Sequence, residues 1–72
     1  MDVTLYKGSE EYKIRVITSE GMYLIYTPEE FDGDGAPIDG AQWAGCDMIE
    51  EVNDLIAELM VDRELSFVPE DL

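Results

Sequence analysis

The acidic residues of the second half of the chain fall at helical spacing. In GCDMIEEVNDLIAELMVDRE (45–64), Asp47, Glu50, Glu51, Asp54, Glu58 and Asp62 precede the first base, Arg63. A second acidic group, Glu29, Glu30, Asp32, Asp34 and Asp39, lies in TPEEFDGDGAPIDG (27–40). Carboxylates in such numbers bind hard cations, act as acid and base, or meet a basic surface. The calcium reading fails on spacing. An EF-hand loop needs oxygen ligands at positions 1, 3 and 5, Gly at 6 and Glu at 12. Counted from Asp32, those later positions hold Ala36, Pro37 and Trp43. The loop reads instead as glycines for turning and aspartates for solvation, with weak cation binding over Asp32–Asp39 as the lesser reading. No metal site and no cofactor follow from it.

Catalysis has little to stand on. There is no histidine, the commonest acid–base residue. Cys46 has no histidine partner and lies among acids, which raise a thiol pKa, although a helix start pulls the other way. It reads as a small apolar residue near a helix cap. Paired carboxylates suit glycoside hydrolysis, but scattered acids on a chain of 8.1 kDa offer no sugar cleft. No catalytic residue is assigned, and the chain reads as a non-enzyme.

A purely solvated helix face usually pairs Glu with Lys at i,i+4. Here Asp47/Glu51, Glu50/Asp54, Asp54/Glu58 and Glu58/Asp62 are like-charge pairs at that spacing. The helix dipole favours the first three acids and disfavours Asp62. The column from Asp47 to Asp62 extends about 22 Å at ~1.5 Å per residue. That places one charge every ~4.5–6 Å, somewhat sparser than the ~3.4 Å phosphate spacing of a DNA strand. Generic acidity is the bland alternative.

The elements that must hold these side chains are legible from periodicity. DVTLY (2–6), YKIRVIT (12–18) and MYLIYT (22–27) read as strands. In the second, Tyr12, Ile14, Val16 and Thr18 alternate with Lys13, Arg15 and Ile17. KGSEE and SEG between them are turn signals, so the three form an antiparallel meander. Thr27 and Pro28 start a helix of one or two turns. Residues 32–45 form an irregular loop, anchored by Ile38 and Trp43. Asp47 and Glu50 fit a capping box, and Met48, Ile49, Val52, Leu55, Ile56, Leu59 and Met60 form a core-facing stripe about 140° wide. ELSFV (64–68) reads as a last strand, with Leu65 and Phe67 facing inward. The prediction is an α+β fold: an antiparallel three- to four-stranded sheet with one amphipathic helix on one face, in the order β-β-β-loop-α-β. Tyr6, Tyr12, Tyr23 and Tyr26 fall on strands, where they pack the sheet or, as the lesser reading, meet a partner.

Residues 1–72 make one domain, close to the lower size limit for a single core. A hydrophobic fraction of 46% argues against disorder. No run approaches the ~18 apolar residues of a membrane span, and the N-terminus has no secretory leader pattern. One cysteine excludes an internal disulfide. These features fit a monomeric protein of a reducing cytoplasm. The chain carries 18 acids against 4 bases, a net charge of −14. Residues 1–28 hold four acids and three bases, so residues 29–72 carry nearly all of that charge against Arg63 alone. Such a surface repels nucleic acid and attracts basic proteins.

In size, acidity and element order, YLIYTPEEFDGDG leading through a loop to DMIEEVNDLIAELM and ELSFV resembles the small anti-CRISPR and DNA-mimic inhibitors of bacteriophages. The resemblance covers most of the chain and carries no specific motif. It implies an inhibitor in the host bacterial cytoplasm that occupies a basic groove of a CRISPR effector subunit. Glu50, Glu51, Asp54 and Glu58 are the leading contacts, with Asp47 and Asp62 in the same column and Glu29, Glu30, Asp32 and Asp34 next. The alternative is a small structural or adaptor module that binds through its tyrosine-bearing sheet, its acidity serving solubility only.

Overall fold

The computed structural model describes residues 1–70. Four antiparallel strands form one sheet in sequential order: β1 (Asp2–Lys7), β2 (Glu10–Ser19), β3 (Met22–Tyr26) and β4 (Ala44–Cys46). A short 3-10 turn (Pro28–Glu30) follows β3, and the helix α1 (Ile49–Arg63) follows β4. The α+β class, the single sheet and the single helix are as the periodicity predicts.

The two hairpins are tight. Gly8, at φ +65°, takes the first central position of the β1–β2 turn. Glu20 (φ +51°) and Gly21 (φ +78°) both occupy left-handed backbone in the β2–β3 turn, the geometry that matches strand twist. These turns fix the register: Val3 opposite Ile14, Leu5 opposite Tyr12, and Val16 opposite Ile25. The same face continues to Ala44 and Cys46, opposite Ile25 and Tyr23. Val52, Ile56 and Leu59 of α1 close over it, and Leu5, Ile25 and Leu59 are wholly buried. The helix lies nearest β3 and β4.

Several expectations are corrected. The fourth strand precedes the helix, inside what reads as loop. Gly45 conceals it: a Cβ there would approach Leu24 Cδ2 to 3.3 Å, a tight fit that a shift of the Leu24 side chain would have to relieve. β4 ends at Cys46, the chain bends at Asp47 and Met48, and Met48 itself has extended dihedrals (φ −126°, ψ 137°). Met48 therefore caps α1, without a side-chain hydrogen bond, and the Asp47–Glu50 capping box does not form. Met48 and Ile49 fall outside the buried stripe and are exposed. Cys46 is buried on β4, two residues before the cap, as a small residue near a helix start, its thiol 3.4 Å from the Met48 carbonyl oxygen.

ELSFV makes a single bridge instead of a strand. Glu64 turns left-handed (φ +56°) at the end of α1, and Ser66 then exchanges backbone hydrogen bonds of 2.9 Å with Tyr6. The Ser66 hydroxyl donates to the Val68 carbonyl, and the Glu70 amide donates to Gly8, so the tail bends toward the first hairpin. Leu65 is buried, but Phe67 is 70% exposed. Ile38 is also exposed and anchors nothing, whereas Trp43 is half-buried against the core.

Left-handed backbone is costly for Glu and much less so for Asn. Glu20→Asn is expected to stabilise the fold by ~0.5 kcal/mol, raising Tm by roughly 2–4 °C for a domain of this size. Thermal melts of the two proteins check this; an unchanged or lower Tm would show that Glu20 sits there without strain.

Candidate functional site

The acids divide into three groups. Glu29 and Glu30 are held by the chain itself. The 3-10 turn places Glu29 over the end of β2, where its Oε2 lies 2.9 Å from the Tyr12 hydroxyl, 2.6 Å from the Thr27 hydroxyl and 2.9 Å from the Arg63 guanidinium. Arg63 also donates to the Tyr12 oxygen. Glu30 Oε1 accepts the Thr27 backbone amide at 3.0 Å. Thr27 is completely buried, so these partners satisfy groups that would otherwise be stranded.

The electrostatics of this cluster follow from its contacts. Burial works to raise the Glu29 carboxyl, but hydrogen bonds from Thr27 and Tyr12 and the Arg63 charge outweigh it, leaving Glu29 below the ordinary carboxylate range. Burial pushes the Tyr12 phenol up, and Glu29 adds to that against Thr27 and Arg63. Burial opposes the Arg63 charge, yet Tyr12 and Glu29 hold its proton more firmly than usual.

The second group lies in the loop. Asp32 Oδ1 accepts the amides of Asp34 (2.9 Å) and Ala36 (3.0 Å), so it serves as the loop's own turn acceptor. Asp34 is exposed. The first part of the loop does not run alongside the helix. Phe31 and Gly35 line a depression with Lys13 and Arg15, on the sheet face opposite α1, and the Arg15 guanidinium stands 5.9 Å from the Phe31 ring centre. Asp32 and Asp34, between those two residues, therefore do not extend the helix acids as one continuous surface.

The third group is the helix column. Asp47, Glu50, Glu51, Asp54, Glu58 and Asp62 are all exposed. Asp54, Glu58 and Asp62 line one shallow depression with Trp43, Ala57 and Val61. Asp47, Glu50 and Glu51 stand at the helix start, outside it. The cations are engaged elsewhere: Lys13 with Glu11, Arg15 with Asp2, Arg63 with Glu29, and Lys7 on the Arg63 carbonyl. Only Asp62 has a cation within reach, Arg63 Nε at 4.0 Å. Among the described residues, the other column acids have no ion-pair partner. Sequence reasoning placed Trp43 in the core and missed it as a wall of this site, because its position depends on β4. Ala57 and Val61 were also missed. Their signal was present, since an exposed apolar pair at i,i+4 flanks the acids.

No group of three or more potential metal-ligating side chains is assembled among the described residues, and no helix there is long and apolar enough to cross a membrane.

The Glu29 cluster has a pH signature. A carboxyl depressed on folding contributes stability above its unfolded pKa, about 4.3, and loses it as pH falls through the lower folded value. Glu29→Gln is expected to lower Tm at pH 7, and the gap to the parent protein should shrink steadily below about pH 4.3. Asp34→Asn, which removes an exposed charge, is the control for general repulsion. Melts from pH 7 to pH 2 decide it; a gap independent of pH would mean that Glu29 gains nothing from being charged. In comparison with known proteins, no family model, no curated protein and no solved structure matches this chain.

Proposed function

We propose that the protein is a binding inhibitor whose acidic helix face occludes a basic, nucleic-acid-binding surface of another protein. The observation that carries this reading is the column Asp54, Glu58 and Asp62 on a helix anchored to the core, with almost none of its charge neutralised from within. Unpaired like charges on one helix cost stability, and a cationic partner offsets that cost on binding. Trp43 at the foot of the column adds an aromatic wall on which an arginine can stack.

The target class follows from the resemblance to phage inhibitors of CRISPR effectors: a Lys/Arg-lined DNA groove of an effector subunit, in the cytoplasm of the host bacterium. The mimicry is carried by the helix alone, because Asp32 and Asp34 lie between Phe31 and Gly35, which line the other face of the sheet. Opposite charges steer the encounter, so association is fast and weakens with salt. The adaptor reading has less to work with. Tyr12 and Tyr26 are buried, which leaves Tyr6 and Tyr23 half-buried as the only tyrosines a partner could meet.

The test is a combined Glu51→Lys, Asp54→Lys, Glu58→Lys variant, with folding verified by circular dichroism. It is expected to lose at least roughly ten-fold in inhibition of target-DNA binding by a purified CRISPR effector, and the parent protein's activity should fall with added salt. Undiminished inhibition by the folded variant would end the helix-mimic reading. Inhibition by neither protein would end the choice of target.

A further inference from the structure

The edge of the sheet farthest from β4 is unfinished. Met1 and Val16 exchange backbone hydrogen bonds. By the alternation of an antiparallel ladder, Val3 and Leu5 also turn their amides and carbonyls toward β2. Asp2, Thr4 and Tyr6 therefore turn theirs outward. Tyr6 confirms this, since its outward groups are those that Ser66 takes. The tail then bends away at Phe67, and among the described residues nothing pairs with the backbone of Asp2 and Thr4. An edge of this kind is a template for another strand.

Beside that edge runs an apolar groove of about 820 Å³, lined by Val3, Ile56, Met60, Val61, Leu65 and Phe67 among others. It exists because α1 lies nearest β3 and β4 and leaves the β1 side of the core face only partly covered. Val61 and Phe67 are 83% and 70% exposed. Val61 and Ala57 line both this groove and the acidic depression, so they form an apolar ridge between the two.

We infer that β1 accepts an extended segment of a basic partner protein as a fifth strand, with apolar side chains in the groove and neighbouring Lys or Arg residues reaching over the Ala57–Val61 ridge to Asp54, Glu58 and Asp62. The inference rests on the proposed binding function and adds the second half of its interface. Backbone pairing requires an extended occupant. The groove requires that alternate side chains be apolar. Charge selects the source: a second copy of this chain would bring another −14, whereas a cationic segment meets the adjoining carboxylates. In antiparallel addition, residues opposite Asp2 and Thr4 point their amides at β1 and their side chains to the open face. Residues opposite Val3 enter the groove.

A ten-residue peptide of alternating valine and threonine, with arginine pairs at both ends, is the probe. Its partner is the same peptide N-methylated at every threonine, which keeps charge and side chains but removes the amides that would face β1. The protein is expected to bind the first peptide at least ten-fold more tightly than the second. Thr4→Pro, which removes an outward amide that the fold does not use, should cause a similar loss with little change in Tm. Equal binding of the two peptides overturns strand addition, whatever becomes of Thr4→Pro. The helix charge-reversal variant separates the two proposals, because it should weaken both peptides by a common factor. If it weakens neither while methylation still matters, strand addition stands and the acidic-face reading falls. Sedimentation of the protein alone is the last arm: a mass that doubles with concentration and reverts in Thr4→Pro would assign the edge to a second copy and overturn the choice of partner.

Discussion

One contact cluster organises the molecule: the Arg63 guanidinium against Glu29 and the Tyr12 hydroxyl, with the buried Thr27 hydroxyl beneath. It joins the last turn of the helix to the second strand and to the turn after the third. Apolar packing alone holds α1 over the sheet through Val52, Ile56 and Leu59, but such packing is non-directional. The polar cluster adds direction at one end. It also engages the only base in residues 29–72. With Arg63 turned inward, the outer face of its own helix is left almost without counter-charge. Stability at one end of α1 and acidity along its surface thus have a common origin.

Much of this was legible from residue order. The meander follows from the alternation in YKIRVIT and from turn signals at Gly8 and Gly21, and the helix from the spacing of Val52, Ile56 and Leu59. What escaped has specific causes. Ala-Gly-Cys is three residues long and contains glycine, which argues against a strand unless the neighbour's close approach is known. That one omission displaced the helix start, since a strand running through Cys46 leaves Asp47 no room to cap. Leu65-Ser66-Phe67 alternates as a strand should, but a left-handed Glu64 and the Ser66–Val68 turn divert it after one bridge.

The candidate site was legible to a different extent. Periodicity identified the exposed acids of α1, because exposure follows from the opposite face being buried. It could not identify which acids the chain satisfies from within. Glu29 reads as one more surface charge until Tyr12 and Arg63, remote in sequence, are placed beside it. Asp32 and Asp34 look like extensions of the helix column, but Phe31 packs by Arg15 and carries that loop to the other side of the sheet. Trp43, Ala57 and Val61 became part of the site only through tertiary placement.

The sequential strand order has a kinetic consequence. Each strand pairs with the one that precedes it in the chain, so no strand must be inserted between two already formed. β1, β2 and β3 meet across two-residue turns, which close on the microsecond scale at small entropic cost. β4, α1 and the bridge from Ser66 to Tyr6 require longer closures, and all three follow the hairpins in the chain. The helix then acts as the latch on a sheet already zipped in register.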